Sequence, residues 1–126
     1  MSHPIKPATS YPAILGRLLA WRRKQAGMQQ ELIAAKVGLT QSTWSRIENG
    51  TTSLTVSQLA RVAAALHTQP SDLLLEADQA ATNLRARGVR IEDEPAILDE
   101  VSPGLALIGG AALGALVIAA IAAGRR

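Results

Sequence analysis

The chain has no cysteine among its 126 residues, and its two histidines, His3 and His67, lie far apart in the sequence. The absence of cysteine excludes disulfides and thiolate metal sites. Neither histidine has acidic residues around it at the spacing of metal ligands, so both are expected in solvent. The sequence also lacks a glycine-rich phosphate loop, a nucleophile with a partner base and paired carboxylates. We therefore predict a protein that is not an enzyme and that binds neither metal nor cofactor.

The N-terminal residues lack the apolar core of a secretory signal peptide, since MSHPIKPATSYP is polar and interrupted by proline. We expect the folded part of the chain to stay in the cytoplasm. Charge is uneven along the sequence. Residues 1–75 carry eight Lys or Arg against three Asp or Glu, residues 76–104 carry three against seven, and residues 105–126 carry two against none. A basic, an acidic and an apolar region predict one small domain with appended segments.

Residues 13–78 have the apolar spacing of five short helices, which predicts an all-α domain. Thr40 is placed to cap the third helix, and Thr55 with Gln58 matches the capping box of a fourth. Pro70 suits the first turn of a fifth helix. The first three helices are expected at about 13–25, 29–37 and 41–49, and the fifth at 70–77. The buried core is expected to contain Trp44, Ile47, Leu59 and Leu66, with Leu73 and Leu74 closing it.

The second and third helices are joined by the three-residue turn GLT, which makes them a helix-turn-helix. From about Leu15 to Leu74 the chain resembles the lambda-repressor/Cro family, also called the xenobiotic response element family. The matching residues are Gly27, Gln30, Ala34, Gly38, Gln41, Ser42, Thr43, Ser45, Arg46, Ile47, Glu48 and Gly50. The resemblance implies a five-helix fold and a transcriptional regulator that binds double-stranded DNA sequence-specifically as a homodimer.

The resemblance also implies roles for individual residues. The third helix would lie in the major groove and read base edges. Its base-contacting positions hold Gln41, Ser42, Ser45 and Arg46. Gln30, at the start of the second helix, stands where the family holds a DNA phosphate. Arg23 and Glu48 match a structural ion pair between the first and third helices.

The sequence departs from the family pattern at three positions. Gln29 stands where serine or threonine usually caps the second helix, a loss of about 1 kcal/mol if nothing replaces the cap. Arg22 replaces a residue that is usually apolar, and we expect its side chain to be solvated. His67 stands where glycine commonly ends the fourth helix. None of these positions is a reading residue.

Residues 105–123 contain no charge and no hydrogen-bonding side chain. As a helix this segment would be about 28 Å long, close to the bilayer's hydrocarbon core of about 30 Å. We predict a single transmembrane helix, in which Gly110 and Gly114 permit helix pairing. A helix packed inside an oligomer is the alternative. The expected domain plan is a tail at 1–12, the head at 13–78, an acidic helix or linker at 79–104, the span at 105–123 and a basic tail at 124–126.

Two classes of function remain open. In the first, the head binds DNA while the tail anchors it to the inner membrane. In the second, a membrane-anchored adaptor uses the same fold to bind protein without reading DNA. The exposed positions of the third helix offer glutamine, serine and arginine instead of large apolar residues. This polar face favours the first class.

Overall fold

The computed structural model describes residues 7–95, 106–107 and 119. Within these residues it contains five α-helices and three short β-strands. The helices are α1 (Tyr11–Gln25), α2 (Gln30–Val37), α3 (Gln41–Glu48), α4 (Val56–Ala65) and α5 (Pro70–Ala86). The strands are β1 (Pro7–Ser10), β2 (Arg90–Glu92) and β3 (Ala106–Leu107). The expected five-helix, mostly helical architecture is therefore confirmed, with a small sheet added to it.

The helix starts follow the capping side chains that the sequence provides. The Thr40 hydroxyl accepts a hydrogen bond from the backbone N–H of Thr43, and Thr55 forms both bonds of a capping box with Gln58. Gly38 ends α2 in the left-handed conformation, with φ of 75°. The side chain of Gln29 makes no capping bond, as its residue type predicts. These local signals explain why two short helices meet at a tight turn.

Two apolar clusters form the core, and α1 contributes to both. One cluster packs α2, α3 and α4 around Trp44, which is completely buried, and includes Ile47 and Leu59. Leu66, expected in this core, is only partly buried because it is the C-cap residue at the edge of α4. Leu74 is 39% exposed, since Leu73 is the residue of that pair that faces inward.

The second cluster includes an α5 that is longer than the expected 70–77, so the expected acidic helix or linker at 79–104 begins as helix. This helix continues to Ala86, and its small residues pack against α1. The buried residues of this cluster are Ile14, Leu18, Ala77, Ala80, Ala81, Leu84 and Val89. Alanines three and four positions apart form the helical face that packs against α1. The head therefore extends past residue 78.

The sheet corrects the all-α expectation and the expected N-terminal tail at 1–12. β1 lies between β2 and β3 and pairs with both in parallel. Ala8 is the partner of Arg90 on one side and of Leu107 on the other. α1 begins at Tyr11, directly after the strand, because Ser10 caps it and Pro12 suits its first turn.

No helix within the described residues is both long enough and apolar enough to cross a bilayer. Most of the predicted span at 105–123, and the tail at 124–126, lie outside those residues. Ala106–Leu107 form β3, so these two residues are strand instead of helix. A membrane helix in this segment would start after Leu107.

Candidate nucleic-acid interface

α3 presents a polar face to solvent and an apolar face to the core. Trp44, Ile47 and Glu48 are buried, whereas Gln41 and Arg46 are exposed. Ser42 is also exposed, and Ser45 is half-buried. The four predicted base-contacting residues thus occupy the outward side of the helix that follows the turn. This is the geometry by which a short helix can enter the major groove.

The buried carboxylate of Glu48 lies at the centre of the site. Its Oε2 accepts hydrogen bonds from Arg23 Nε at 2.6 Å and from the Trp44 indole Nε1 at 2.5 Å. Its Oε1 accepts from Arg23 Nη2 at 3.1 Å and from Gln30 Nε2 at 2.8 Å. Glu48 is 3% exposed and Arg23 is 8% exposed. One side chain therefore joins α1, α2 and α3.

The hydrogen bonds continue from this buried carboxylate to the surface. Gln41 Nε2 donates to Gln30 Oε1 at 2.8 Å. A chain of contacts runs from Glu48 through Gln30 to Gln41, the first residue of α3. Each glutamine amide has two N–H donors, so Gln30 and Gln41 keep one N–H each beyond these bonds. The network orients two residues that are predicted to touch DNA.

The same hydrogen bonds determine the protonation of Glu48. Burial raises the pKa of a carboxyl group, because the charged form loses water. Hydrogen bonds from Arg23, Gln30 and Trp44, together with the positive charge of Arg23, outweigh that effect and lower the pKa of Glu48 below its usual 4.5. Glu48 is therefore ionised at neutral pH and acts as a hydrogen-bond acceptor only.

Arg46 and the two serines are not part of this network. Arg46 Nη2 donates to Thr43 Oγ1 at 3.3 Å, and Ser42 Oγ lies 3.4 Å from Thr40 Oγ1. The Arg46 guanidinium has five N–H donors and uses one of them in this contact. The Arg46 side chain is exposed, which leaves its other N–H donors accessible from solvent.

Two residues that the sequence analysis did not select hold the end of α3. Arg17 Nε donates to the Glu48 carbonyl oxygen at 2.7 Å, and its Nη2 donates to Asn49 Oδ1 at 3.1 Å. A Cβ at Gly16 would lie 2.2 Å from the Ile47 carbonyl oxygen, so only glycine permits this approach of α1 and α3. A glycine inside an apolar helix is the sequence feature that could have predicted this close approach.

Arg22 also differs from its expected solvated state. It pairs with Glu76 on α5, and the two side chains are 20% and 14% exposed. The charge of this arginine in α1 is thus neutralised by an acidic residue of α5. Its role is to connect the two helices.

Fold and site together define a helix-turn-helix protein. Residues 14–76 match the family described as "Helix-turn-helix domain", and the chain belongs to this family. Membership of this family supports a DNA-binding protein. No curated protein matches the chain by sequence.

Solved structures of regulators are similar to the chain. In one structure of the clp gene regulator ClgR from Corynebacterium glutamicum the identity is 28% and the TM-score 0.54, over 61% of this chain and 87% of that one. In another structure of ClgR these values are 26% and 0.51, over 54% and 88%. A point variant of the restriction-modification controller protein C.Esp1396I shares the fold at 20% identity and a TM-score of 0.54, over 58% of this chain and 95% of that one.

Proposed function

We propose that this chain is a sequence-specific DNA-binding transcriptional regulator that reads DNA through α3 and acts as a dimer. The observation that carries the proposal is the hydrogen-bonded chain from Glu48 through Gln30 to Gln41. A merely solvated polar face needs no buried carboxylate to orient it. Membership of the helix-turn-helix family and the similarity to ClgR, a gene regulator, support the same conclusion.

The free atoms of Gln41 match the edge of adenine. One N–H of Gln41 is used by Gln30, which leaves its carbonyl oxygen and a second N–H. In the major groove adenine presents the N6 amino group as donor and N7 as acceptor, so one glutamine can bind both. Arg46, with a fork of free donors, matches O6 and N7 of guanine. Ser42 and Ser45 have shorter side chains, whose hydroxyl groups can form hydrogen bonds to the base edges next to those that Gln41 and Arg46 contact.

Gln30 suits a phosphate contact. It lies at the first position of α2, where backbone N–H groups and the helix dipole favour an anion. Its second amide N–H remains for a phosphate oxygen after the bond to Glu48. A contact of this kind sets the register of the head on DNA and carries no sequence information.

The adaptor alternative gains no support from the recognition face. Within the described helix α3, the two large apolar side chains, Trp44 and Ile47, are buried in the core. The outward positions carry amide, hydroxyl and guanidinium groups. A protein-binding face would need aromatic or aliphatic anchors there.

Our first prediction separates contacts to bases from contacts to phosphates. Arg46→Ala should cost about 1 to 3 kcal/mol on the preferred DNA site and relax the preference at one base pair. Gln30→Ala should weaken binding to random DNA as well as to the preferred site, with a further loss on the preferred site because Gln41 loses its orienting hydrogen bond. The affinity of each variant for the preferred site and for random DNA is measured in a gel-shift or fluorescence-anisotropy titration.

Arg90→Ala is the matched control, because Arg90 is an exposed arginine that pairs with Glu92 in the sheet. It should bind DNA as the unmodified chain does. An equal loss on preferred and random DNA for Arg46→Ala would remove Arg46 from the reading residues.

We also propose that the tail anchors the head to the cytoplasmic face of the inner membrane. The support is the uncharged, apolar sequence from Ile108 to Ala123, which as a helix would reach about 24 Å. Leu113 lies near its centre, where an arginine costs about 2.5 to 3.5 kcal/mol on insertion scales.

The second prediction is that the chain stays in the membrane pellet after carbonate extraction. Leu113→Arg should release it to the soluble fraction, because the remaining apolar residues add only a few tenths of a kcal/mol each. Ala112→Gly is the control, since it adds no charge to the same stretch and should leave the chain in the pellet. Recovery of the unmodified chain in the carbonate supernatant would contradict the anchor.

A further inference from the structure

A second set of hydrogen bonds on α3 joins three side chains that follow one another along the helix. Thr40, Thr43 and Arg46 are spaced three positions apart, so their side chains are neighbours on the helix surface. The Thr40 hydroxyl donates to Thr43 Oγ1 at 2.9 Å and accepts from the Thr43 backbone N–H at 3.2 Å. Arg46 Nη2 donates to the same Thr43 Oγ1 at 3.3 Å. Thr43 therefore connects the cap of the helix to a predicted reading residue.

This set of bonds is separate from the one that begins at Glu48. Glu48 and Gln30 together orient Gln41. Among the residues that the structure describes, no side-chain hydrogen bond joins Gln41 to Thr43 or Arg46. The two longest side chains of the reading face are thus held by two independent sets of hydrogen bonds.

Thr43 lies almost one turn closer to the N-terminus of α3 than Arg46 does. Side chains on an α-helix lean toward its N-terminus, and the bond to Thr43 Oγ1 keeps the guanidinium in that direction. Arg46 is the sixth residue of α3, whereas the N-terminal residues of a recognition helix are those that reach base edges. The bond therefore brings the guanidinium toward the end of the helix that carries Gln41.

The contact with Thr43 leaves enough donors on Arg46 for a base. It uses one of the two N–H groups of Nη2, so the second one and both N–H groups of Nη1 remain. A pair of these donors can bind O6 and N7 of guanine together. The two lone pairs of Thr43 Oγ1 are both used, because this oxygen accepts from Thr40 and from Arg46.

We propose that Thr43 is a positioning residue for base reading, because its hydroxyl, held by Thr40, orients the Arg46 guanidinium before DNA is bound. The inference rests on the proposed function, in which Arg46 reads a base. An arginine side chain that is free in solution loses rotamer freedom when it binds, and this loss lowers the affinity. A guanidinium that is already held loses less. Thr43 thereby strengthens the preference for the base pair that Arg46 contacts.

The test begins with Thr43→Val in the full-length chain. Valine is also β-branched and keeps the backbone N–H that Thr40 caps, but it lacks the oxygen that Arg46 contacts. We expect about 3- to 10-fold weaker binding to the preferred site and unchanged binding to random DNA. Thr43→Ser, which keeps the hydroxyl, should bind both DNAs as the unmodified chain does. Urea unfolding of each variant checks that the head is folded.

A double variant distinguishes positioning from a direct contact with DNA. When Arg46 is already alanine, Thr43→Val should cause no further loss on the preferred site, because no guanidinium is left to orient. Thr51→Val is the matched control, since the Thr51 hydroxyl donates to the backbone carbonyl oxygen of Arg46 at 3.2 Å and not to its side chain. This control should keep the preference at the base pair that Arg46 reads.

Two results would overturn the role of Thr43. A loss of the same size with and without the Arg46 side chain would mean that Thr43 acts on DNA by itself. An unchanged base preference in a folded Thr43→Val variant would mean that Arg46 does not depend on this hydroxyl. The proposed function is tested separately by the unmodified chain, and binding to the preferred site that is no tighter than to random DNA would reject it.

Discussion

Replacement of Trp44 by alanine should remove about 3 to 5 kcal/mol from the free energy of unfolding. Trp44 is completely buried and packs with residues of α2 and α4. Its loss opens a large cavity and also deprives Glu48 of the indole N–H. The free energy of unfolding of a small domain is about 5 to 15 kcal/mol in total. Much of the head should therefore be unfolded in this variant at ordinary temperature.

The measurement is urea unfolding followed by circular dichroism. Trp44→Phe is the matched variant, because it keeps a buried aromatic ring while losing the hydrogen bond to Glu48 and part of the indole volume. It should be destabilised less than Trp44→Ala. A Trp44→Ala variant that unfolds at the normal urea concentration but no longer binds DNA would place Trp44 on the recognition surface.

Glu48→Ala should have an effect of similar size, about 3 to 5 kcal/mol, because it leaves a buried arginine without its carboxylate. Within the described part of the chain, Arg23 would keep only its bond to the Met28 carbonyl oxygen at 2.8 Å. Gln30 would lose the acceptor that orients its amide. Glu92→Ala is the control, since it breaks an exposed pair with Arg90 and should cost about 0 to 1 kcal/mol.

The stability that Glu48 contributes should also depend on pH. The pKa of Glu48 is lower in the folded chain than its usual 4.5, so the unfolded chain takes up the proton first as pH falls. The contribution is present above about pH 4.5, the usual glutamate value, and is lost progressively below it. Unfolding curves between neutral and acid pH should show a smaller acid-induced loss for Glu48→Gln than for the unmodified chain. Identical acid sensitivity of the two would remove Glu48 from the groups that link stability to pH.

The parts of the fold that depend on neighbours in sequence could be predicted. Thr40 caps α3 and Thr55 forms the capping box of α4, since such bonds join residues three apart. The glycine turn between α2 and α3 likewise needs only local information. The family resemblance supplied the pairing of Arg23 with Glu48, which the structure shows as two hydrogen bonds.

The features that escaped prediction depend on residues distant in sequence. The extension of α5 follows from packing of its alanines on α1, and the sheet joins residues 7–10 to residues 90–92. Whether Arg22 is solvated depends on Glu76, a residue 54 positions away. The hydrogen bond between Gln30 and Gln41 depends on the angle at which α2 and α3 pack. Composition and periodicity carry no information about that angle.

Selection of bound fragments from a random DNA pool by the full-length chain tests the central claim most directly. The account predicts an enriched sequence with two half-sites related by two-fold symmetry, their centres about 10 to 10.5 base pairs apart or a multiple of that distance. A parallel selection with Arg46→Ala should lose the preference at one base pair in each half-site and keep the rest. A pool that shows no enrichment over its starting composition, from a chain that is folded, would contradict the claim that α3 reads DNA.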